Sequence, residues 1–484
     1  MRPKVQFLRR ELVEQIIAEA RELLGTLGVE VHNDALVSTL VDHGAEVQGD
    51  RVLIKSDLID RALDSAPDSF TLYDVLGEVS HELRGDQVHF TPGSAAIRVV
   101  DRQSGEARPP VAEDYRQYTQ IVSQMEYIKA QSTAIIPTDV DQQIADSYRL
   151  YLSLLYCEKP VVTGAFTIEG FEVMKDLQVA VRGSSEALRE KPLTVFSCCP
   201  TAPLKWSDVT SQNTVDCARY NIPVEFISMP LAGFMSPVTL VGSLVQHTAE
   251  TLSGIVISQV TNPGTPVVYG GSPAIFDIRY QTTPMGAIET MMLDCAYCEI
   301  GKYLGLPTQA YIGLSDAKQL DSQAGLETSM GATLAALAGI NSISGPGMLD
   351  FESCFSLEKL VLDNQICGMV LRLTEGIQPR EDFPSLGHFK ELLEEKHLLI
   401  SDHTRKYLKQ EHYFPSEIID RANRARWTSD GEQTLEQRAR RSVEDLLSSY
   451  RPSRLDASAQ SDLHQIMESA ARTCGMQKLP GFKA

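Results

Sequence analysis

The sequence predicts an α/β protein, a (β/α)8 TIM barrel with a small N-terminal α/β cap and a C-terminal helical extension. Three observations lead there. Between about residue 125 and residue 378 the chain repeats a short apolar strand, a turn and an amphipathic helix. Eight such units make a closed parallel barrel, because parallel strands need helical crossovers. Gly and Pro punctuate the strand-to-helix turns, where they fix tight backbone. At 484 residues and 43% hydrophobic content, the chain can bury a barrel core and still carry additions at both ends.

The elements follow in order. Residues 9–27 place Leu12, Ile16, Ile17, Ala20, Leu23 and Leu24 on one helical face, ended by Gly25 and Gly28. Val29–His32, a helix around Asp34–His43, and Arg51–Ile54 complete a mixed α/β cap assigned to residues 1–90. Barrel strands are expected at Val88–Thr91, Tyr127–Ile136, Pro160–Ala165, Leu193–Cys199, Val224–Met229, Pro266–Gly270, Thr308–Ile312 and Gly339–Ile343, within a catalytic domain of residues 91–378. After Gly376, Pro379 and Pro384 interrupt the pattern. A charged helical extension then covers residues 379–484, with Glu391–Glu395 and Glu436–Asp445 on helices. Such a tail is an outer helix or a subunit contact, and no chemistry is assigned to it.

Chemistry in this fold belongs to the loops after the strands. Those loops carry Phe166, Phe234, Phe276 and Phe351, for which an ordinary surface loop has little use. They either line a mostly apolar pocket or pack beneath the loops. A formal charge of -20 argues against nucleic acid and anionic membrane as partners. The longest apolar run is broken before it could span a bilayer, and Met1-Arg-Pro-Lys-Val-Gln lacks a signal-peptide core. Nine cysteines, an odd number, suggest reduced thiols and a cytoplasmic protein.

Several chemistries are disfavoured. His247, mid-helix, is the one histidine in the barrel region, whereas metal-dependent hydrolases need several His and carboxylate ligands at strand ends. Ile343-Ser-Gly-Pro-Gly imitates a phosphate loop but lacks a basic companion. Lys129 lies early in its strand, and Lys205 and Lys318 sit in loops, which leaves a Schiff-base aldolase or lyase as a weak alternative. Cys198 with Cys199, and Cys295 with Cys298 inside the expected helix Pro284–Leu304, fit buried packing better than zinc.

Carboxylates hold more promise. Asp277 and Arg279 follow the Pro266–Gly270 strand, and Asp316 follows Thr308–Ile312. Asp321, Gln323 and Glu327 open the next helix, where Asp321 reads as an N-cap.

Certain stretches resemble the trimethylamine methyltransferase family of corrinoid-dependent enzymes. They are Met229-Pro-Leu-Ala-Gly-Phe-Met-Ser-Pro-Val-Thr-Leu-Val-Gly, Asn262-Pro-Gly-Thr-Pro-Val-Val-Tyr-Gly with Asp277-Ile-Arg279 behind it, and Ser315-Asp-Ala-Lys-Gln-Leu-Asp-Ser-Gln-Ala-Gly-Leu-Glu327. Ala335–Gly347 with Phe355-Ser-Leu-Glu-Lys-Leu adds to them. The similarity runs over nearly the whole chain.

The resemblance implies a barrel that demethylates an amine and passes the methyl group to Co(I) of a separate corrinoid protein. Archaeal trimethylamine enzymes of the family contain pyrrolysine, and this chain spells only standard residues. It therefore looks like the non-pyrrolysine branch, which includes glycine betaine, carnitine and proline betaine demethylases. The expected substrate is a small quaternary amine of betaine type. Its leaving group is neutral, so the protein must orient and desolvate rather than move protons. Aromatic faces hold quaternary ammonium groups, and Phe166, Tyr269, Phe276, Tyr311, Phe351 and Phe355 stand at or near the relevant loops. Arg279 is expected to pair with a betaine carboxylate or to hold Asp277, with Gln323 as a further binding residue. Asp316, the residue assigned to catalysis, would balance the cation or bond a substrate hydroxyl. The chain lacks the Asp-x-His-x-x-Gly stretch of cobalamin-binding modules, its nearest approach being Asp42-His-Gly. No cofactor is expected in this chain: the corrinoid is carried by a partner protein docking over the strand C-termini, and the enzyme is expected to be a homo-oligomer. A non-catalytic betaine binder is the other alternative.

Overall fold

The computed structural model describes residues 2–480. Eight parallel strands organise the fold: β1 His89–Thr91, β2 Gln131–Ser132, β3 Val161–Thr163, β4 Thr194–Cys198, β5 Val224–Ser228, β6 Val267–Gly271, β7 Gln309–Tyr311 and β8 Ser342–Ser344. Each is followed by a long helix: α1 Ala112–Val122, α2 Ala145–Tyr156, α3 Ile168–Arg182, α4 Asp208–Tyr220, α5 Leu240–Thr261, α6 Ile288–Tyr303, α7 Ser322–Ala338 and α8 Leu357–Thr374. Strands β2 to β6 pair in one parallel run, and β7, β8 and β1 in another. Single parallel bridges join the runs, Phe90 to Ile128 at one seam and Tyr269 to Thr308 at the other.

The strands lie close to the segments the sequence predicts, because a sheet covered on both faces leaves near-continuous apolar runs. Val224–Ser228 and Val267–Gly271 are buried throughout. Polar caps then start the helices. Thr167, Ser207, Thr239, Asp321 and Ser356 each accept a backbone N–H in the first turn of α3, α4, α5, α7 and α8. Losing one such cap costs about 1 kcal/mol. One boundary differs from expectation. Helix α6 begins at Ile288 rather than Pro284, because the Met285 and Gly286 N–H groups turn to donate to the Asp316 carboxylate.

Glycine sets the closeness of one strand–helix contact. A Cβ on Gly331 of α7 would stand 2.0 Å from the Ile312 carbonyl oxygen just after β7. Gly331→Ala is therefore expected to cost about 1–3 kcal/mol through overpacking. A lowered Tm is the readout, and an unchanged Tm would show that α7 can slide.

A hairpin covers the N-terminal ends of the strands. Its arms Phe70–Tyr73 and Val79–Leu83 pair antiparallel and send Phe70, Leu72 and Leu83 against Ala130, Val162, Val195 and Val268. Each such buried side chain contributes about 1.5–3 kcal/mol. Backbone bonds from Tyr73 to Pro192 and from Val75 to Glu158 tie the hairpin to residues just before β4 and β3, at the strand N-termini. Access is left to the C-terminal end.

The N-terminal helix Arg10–Thr26 packs on α5, and strand Val29–Val31 pairs parallel with Lys205–Trp206 after β4. At the other end of the chain, helix Leu435–Ser449 packs on α8 and α1, and Ala457–Thr473 on α3 and α2. Helix Leu386–Glu395 buries no side chain. No helix among the described residues is long and apolar enough to cross a membrane.

Candidate active site

A cavity of about 400 Å³ opens at the C-terminal ends of β1, β2, β3, β4 and β7, lined among others by Ser94, Thr133, Thr163, Ser197, Cys199 and Tyr311. Strand alternation decides which side chains reach it. In β5, Phe226 points outward onto Gly254 of α5, so Glu225 points into the ring. In β6, Tyr269 points outward and donates to Thr248 Oγ1 at 2.9 Å, while Val268 joins the interior cluster. In β7, Tyr311 lines the cavity, and its hydroxyl lies 3.1 Å from Ser94 Oγ.

Two carboxylates stand behind the cavity lining, each bonded to a residue that lines it. Glu225 is 1% exposed, and its Oε1 accepts the Ser197 hydroxyl at 2.6 Å. Burial pushes its carboxyl up to about 7. Glu352 comes from the loop after β8. Its Oε1 accepts the Ser94 N–H at 3.3 Å, and burial pushes this carboxyl up to about 8. The loop reaches that position through three consecutive left-handed residues, Asp350 (φ 51°), Phe351 (φ 57°) and Glu352 (φ 69°). Each costs about 1–3 kcal/mol outside glycine, and such strain collects where function needs it. The charges of both carboxylates act on Tyr311 and Cys199, whose own groups burial raises first: Cys199 to about 12 and Tyr311 well above its usual range. Neither Glu225 nor Glu352 has an ion-pair partner among the described residues.

Arg149 of α2 supplies the cavity with a buried cation. It is 1% exposed, its Nη1 donates to the Thr133 carbonyl at 2.8 Å, and its Nε donates to the Ala145 carbonyl at 3.2 Å. The guanidinium carbon lies 4.5 Å from the centroid of the Phe166 ring, which also lines the cavity.

The raised carboxyls set a pH dependence. A group raised on folding contributes stability below the ordinary carboxylate range and loses it as pH rises through its folded value. Unliganded stability is therefore expected to fall from the ordinary carboxylate range near 4.5 up to about pH 7 to 8, and to level off above it, where Glu225 and Glu352 are ionised without partners. Affinity for a cationic ligand should rise over the same window. Calorimetric titration at about pH 6 and about pH 9 checks this, and a flat profile contradicts it.

Of the residues expected from sequence, Phe166 and Tyr311 line the cavity, and the other eight do not. Tyr269 faces outward, as above. Phe355 is buried edge-on against Tyr118 at 5.2 Å. Phe276 stacks on Phe234 at 4.8 Å in the loops above β5 and β6. Asp277 and Arg279 form an exposed two-point ion pair with 3.0 and 2.6 Å contacts, so the Arg279 fork is occupied. That pairing holds Asp277 down at about 2. Asp316 accepts the Met285 and Gly286 N–H groups at 2.9 Å each, a structural engagement, and burial pushes it up to about 6. Gln323 is exposed and donates to Glu327. Phe351 lies beneath Lys318, whose Nζ is 3.7 Å from the ring centroid.

Glu225, Glu352 and Arg149 escaped the sequence reading. A lone Glu in the strand Val-Glu-Phe-Ile-Ser was a signal, since a strand covered on both faces rarely carries a charge. Glu352 had none, because no glycine marks its left-handed turn.

The lysine and metal chemistries find no support in the cavity. Lys205 pairs with Glu30 at 3.1 Å, and Lys318 pairs with Asp350 at 3.2 Å. Cys198 and Cys199 line the cavity, whereas Cys295 and Cys298 are buried within α6. Among the described residues no three His, Cys, Asp or Glu side chains are grouped to hold a metal ion. His247 is fully buried, donates to the Gly270 carbonyl and stacks on Tyr297. A larger cavity of about 880 Å³ lies beside Lys129 and Lys159, at the strand N-termini. Parallel α/β folds place their ligands at the opposite end.

Known proteins resemble this chain along most of its length. The family model described as trimethylamine methyltransferase (MTTB) matches residues 1–475. The trimethylamine methyltransferase MttB of Methanosarcina barkeri is 32% identical over 459 residues, covering 93% of this chain and 92% of that protein. A glycine betaine methyltransferase of Desulfitobacterium hafniense (strain Y51) is 28% identical over 475 residues, 98% of each. Among solved structures, the monomethylamine methyltransferase of Methanosarcina barkeri superposes with a TM-score of 0.55 at 13% identity, covering 92% of this chain and 89% of that one.

Proposed function

The chain belongs to the trimethylamine methyltransferase family, and from that premise we propose that it takes a methyl group from a quaternary amine of betaine type and passes it to the Co(I) corrinoid of a separate protein. The observation that carries the reading is a pair of carboxylates, Glu225 and Glu352, bonded to Ser197 and Ser94 of the cavity wall and without an ion-pair partner among the described residues. Isolated buried charge is costly, and a permanent cation in the cavity relieves it. A quaternary ammonium cannot donate a proton, so both carboxylates act on it through charge alone.

In this reading the eight strands form a (β/α)8 barrel, with residues 1–90 as a cap and 379–484 as an outer extension. The covered N-terminal end leaves the strand C-termini as the approach for the methyl acceptor. When bound, the corrinoid supplies the nucleophile. This chain's residues do the remaining work: Glu225 and Glu352 hold the ammonium, Phe166 and Tyr311 present aromatic surface to its methyl groups, and the walls exclude water. No general acid is required, because the departing amine is neutral. Exposed apolar side chains stand in the loops after β5 and β6, with Phe234 at 63%, Val238 at 75% and Ile278 at 77%, and they suit a docking protein. Unpaired cysteines support a cytoplasmic setting, and the exposed Leu386, Phe389 and Leu393 support a homo-oligomer.

A thermal-shift series with glycine betaine, carnitine, proline betaine, choline and trimethylamine tests the ligand class. A ligand that binds only the folded state raises Tm by mass action. A selective rise with a quaternary amine is expected, and no rise with any of them would contradict the reading.

A further inference from the structure

We propose that Arg149 reads a carboxylate on the substrate, so that the cavity selects a zwitterion in which a short linker joins a quaternary ammonium to an acid group. The inference rests on the cation-binding reading above and adds the other half of the ligand.

Arg149 is a buried cation without an ion-pair partner among the described residues. The neighbouring acid on its helix, Asp146, is engaged elsewhere: its Oδ1 accepts the Ser147 N–H at 2.6 Å and its Oδ2 accepts the Phe166 N–H at 2.8 Å. Two backbone carbonyls, of Thr133 and Ala145, fix the guanidinium through Nη1 and Nε, while Nη2 donates to no described residue. The Phe166 ring covers one face. A fork held in this way presents a preorganised donor to an acceptor entering the cavity. Its hydrogen-bond partners are neutral backbone carbonyls, and the Asp146 charge offsets its burial only through space.

The opposite charge stands behind other parts of the lining. Arg149 sits behind the ends of β2 and β3, whereas Glu225 belongs to β5 and Glu352 to the loop after β8. One guanidinium that lines the cavity, with two carboxylates bonded to its lining residues Ser197 and Ser94, is complementary to a carboxylate and an ammonium in one small molecule. A volume of about 400 Å³ suits a ligand of that size. The sequence reading gave the carboxylate to Arg279, whose fork is already closed on Asp277 at the surface.

Calorimetry on the full-length protein with glycine betaine, its methyl ester and choline tests the assignment. The ester keeps the ammonium and the shape but loses the negative charge. Betaine is expected to bind about tenfold to a hundredfold tighter than the ester, the worth of a charged hydrogen bond. This comparison uses the unaltered protein, so it does not depend on a variant folding. In Arg149→Gln the betaine-to-ester ratio is expected to collapse to near unity. Equal affinity for betaine and ester in the unaltered protein would overturn the role of Arg149 while leaving the cation reading intact. A ratio preserved in Arg149→Gln would overturn it as well. Absence of binding by all three compounds would overturn both readings together.

Discussion

Glu225→Gln is expected to weaken binding of a quaternary amine by about 2–4 kcal/mol, the scale of a close charge pair in a partly desolvated site. The amide keeps the size of the side chain and can still accept the Ser197 hydroxyl, so packing changes little. The unliganded variant should be no less stable than the parent above about pH 7, because it no longer carries a buried carboxylate that ionises without a partner. Lost affinity together with retained or raised Tm is thus the signature of a charge effect. If affinity and Tm fell together, the residue would be structural.

The second large effect is on stability. Lys359 and Asp363 form a fully buried ion pair one turn apart in α8. Lys359 also donates to Thr328 Oγ1 at 2.8 Å, and Asp363 Oδ2 accepts the Gly347 N–H at 2.7 Å. The pair therefore anchors both α7 and the start of the loop that carries Glu352. Lys359→Met leaves a buried carboxylate uncompensated and is expected to cost about 3–5 kcal/mol. Adding Asp363→Leu should recover part of that loss, since removing both charges is cheaper than stranding one. Thermal denaturation of the single and double variants decides. A double variant as unstable as the sum of its parts would show that the two residues act separately.

The order and the approximate limits of the strands were legible because each is an apolar run set between Gly or Pro turns, a pattern that survives without knowledge of neighbours. The Asp321 cap was legible for the same local reason. Which side of a strand faces the cavity was not. Tyr269 stands one residue from the inward Val268, and a shift of one residue sends an aromatic from the site to the helix layer. Asp277 and Asp316 sit after the strands expected, but each spends its oxygens locally, on Arg279 and on two backbone N–H groups. Sequence position alone does not reveal such prior engagement. Glu225 was readable in principle from its strand. Arg149 required knowing that α2 turns that residue toward the strand ends, which only the packing specifies.

The most direct test of the account is methyl transfer itself. The protein, a Co(I) corrinoid carrier protein and glycine betaine labelled in its N-methyl groups would be mixed, following the loss of Co(I) absorbance and the appearance of label on the carrier. The account predicts transfer that requires this chain, consumes one methyl group per cobalt and fails in Glu225→Gln. Tight, Glu225-dependent binding of betaine with no transfer to a competent Co(I) carrier would contradict it, and would mark the chain as a binder rather than an enzyme.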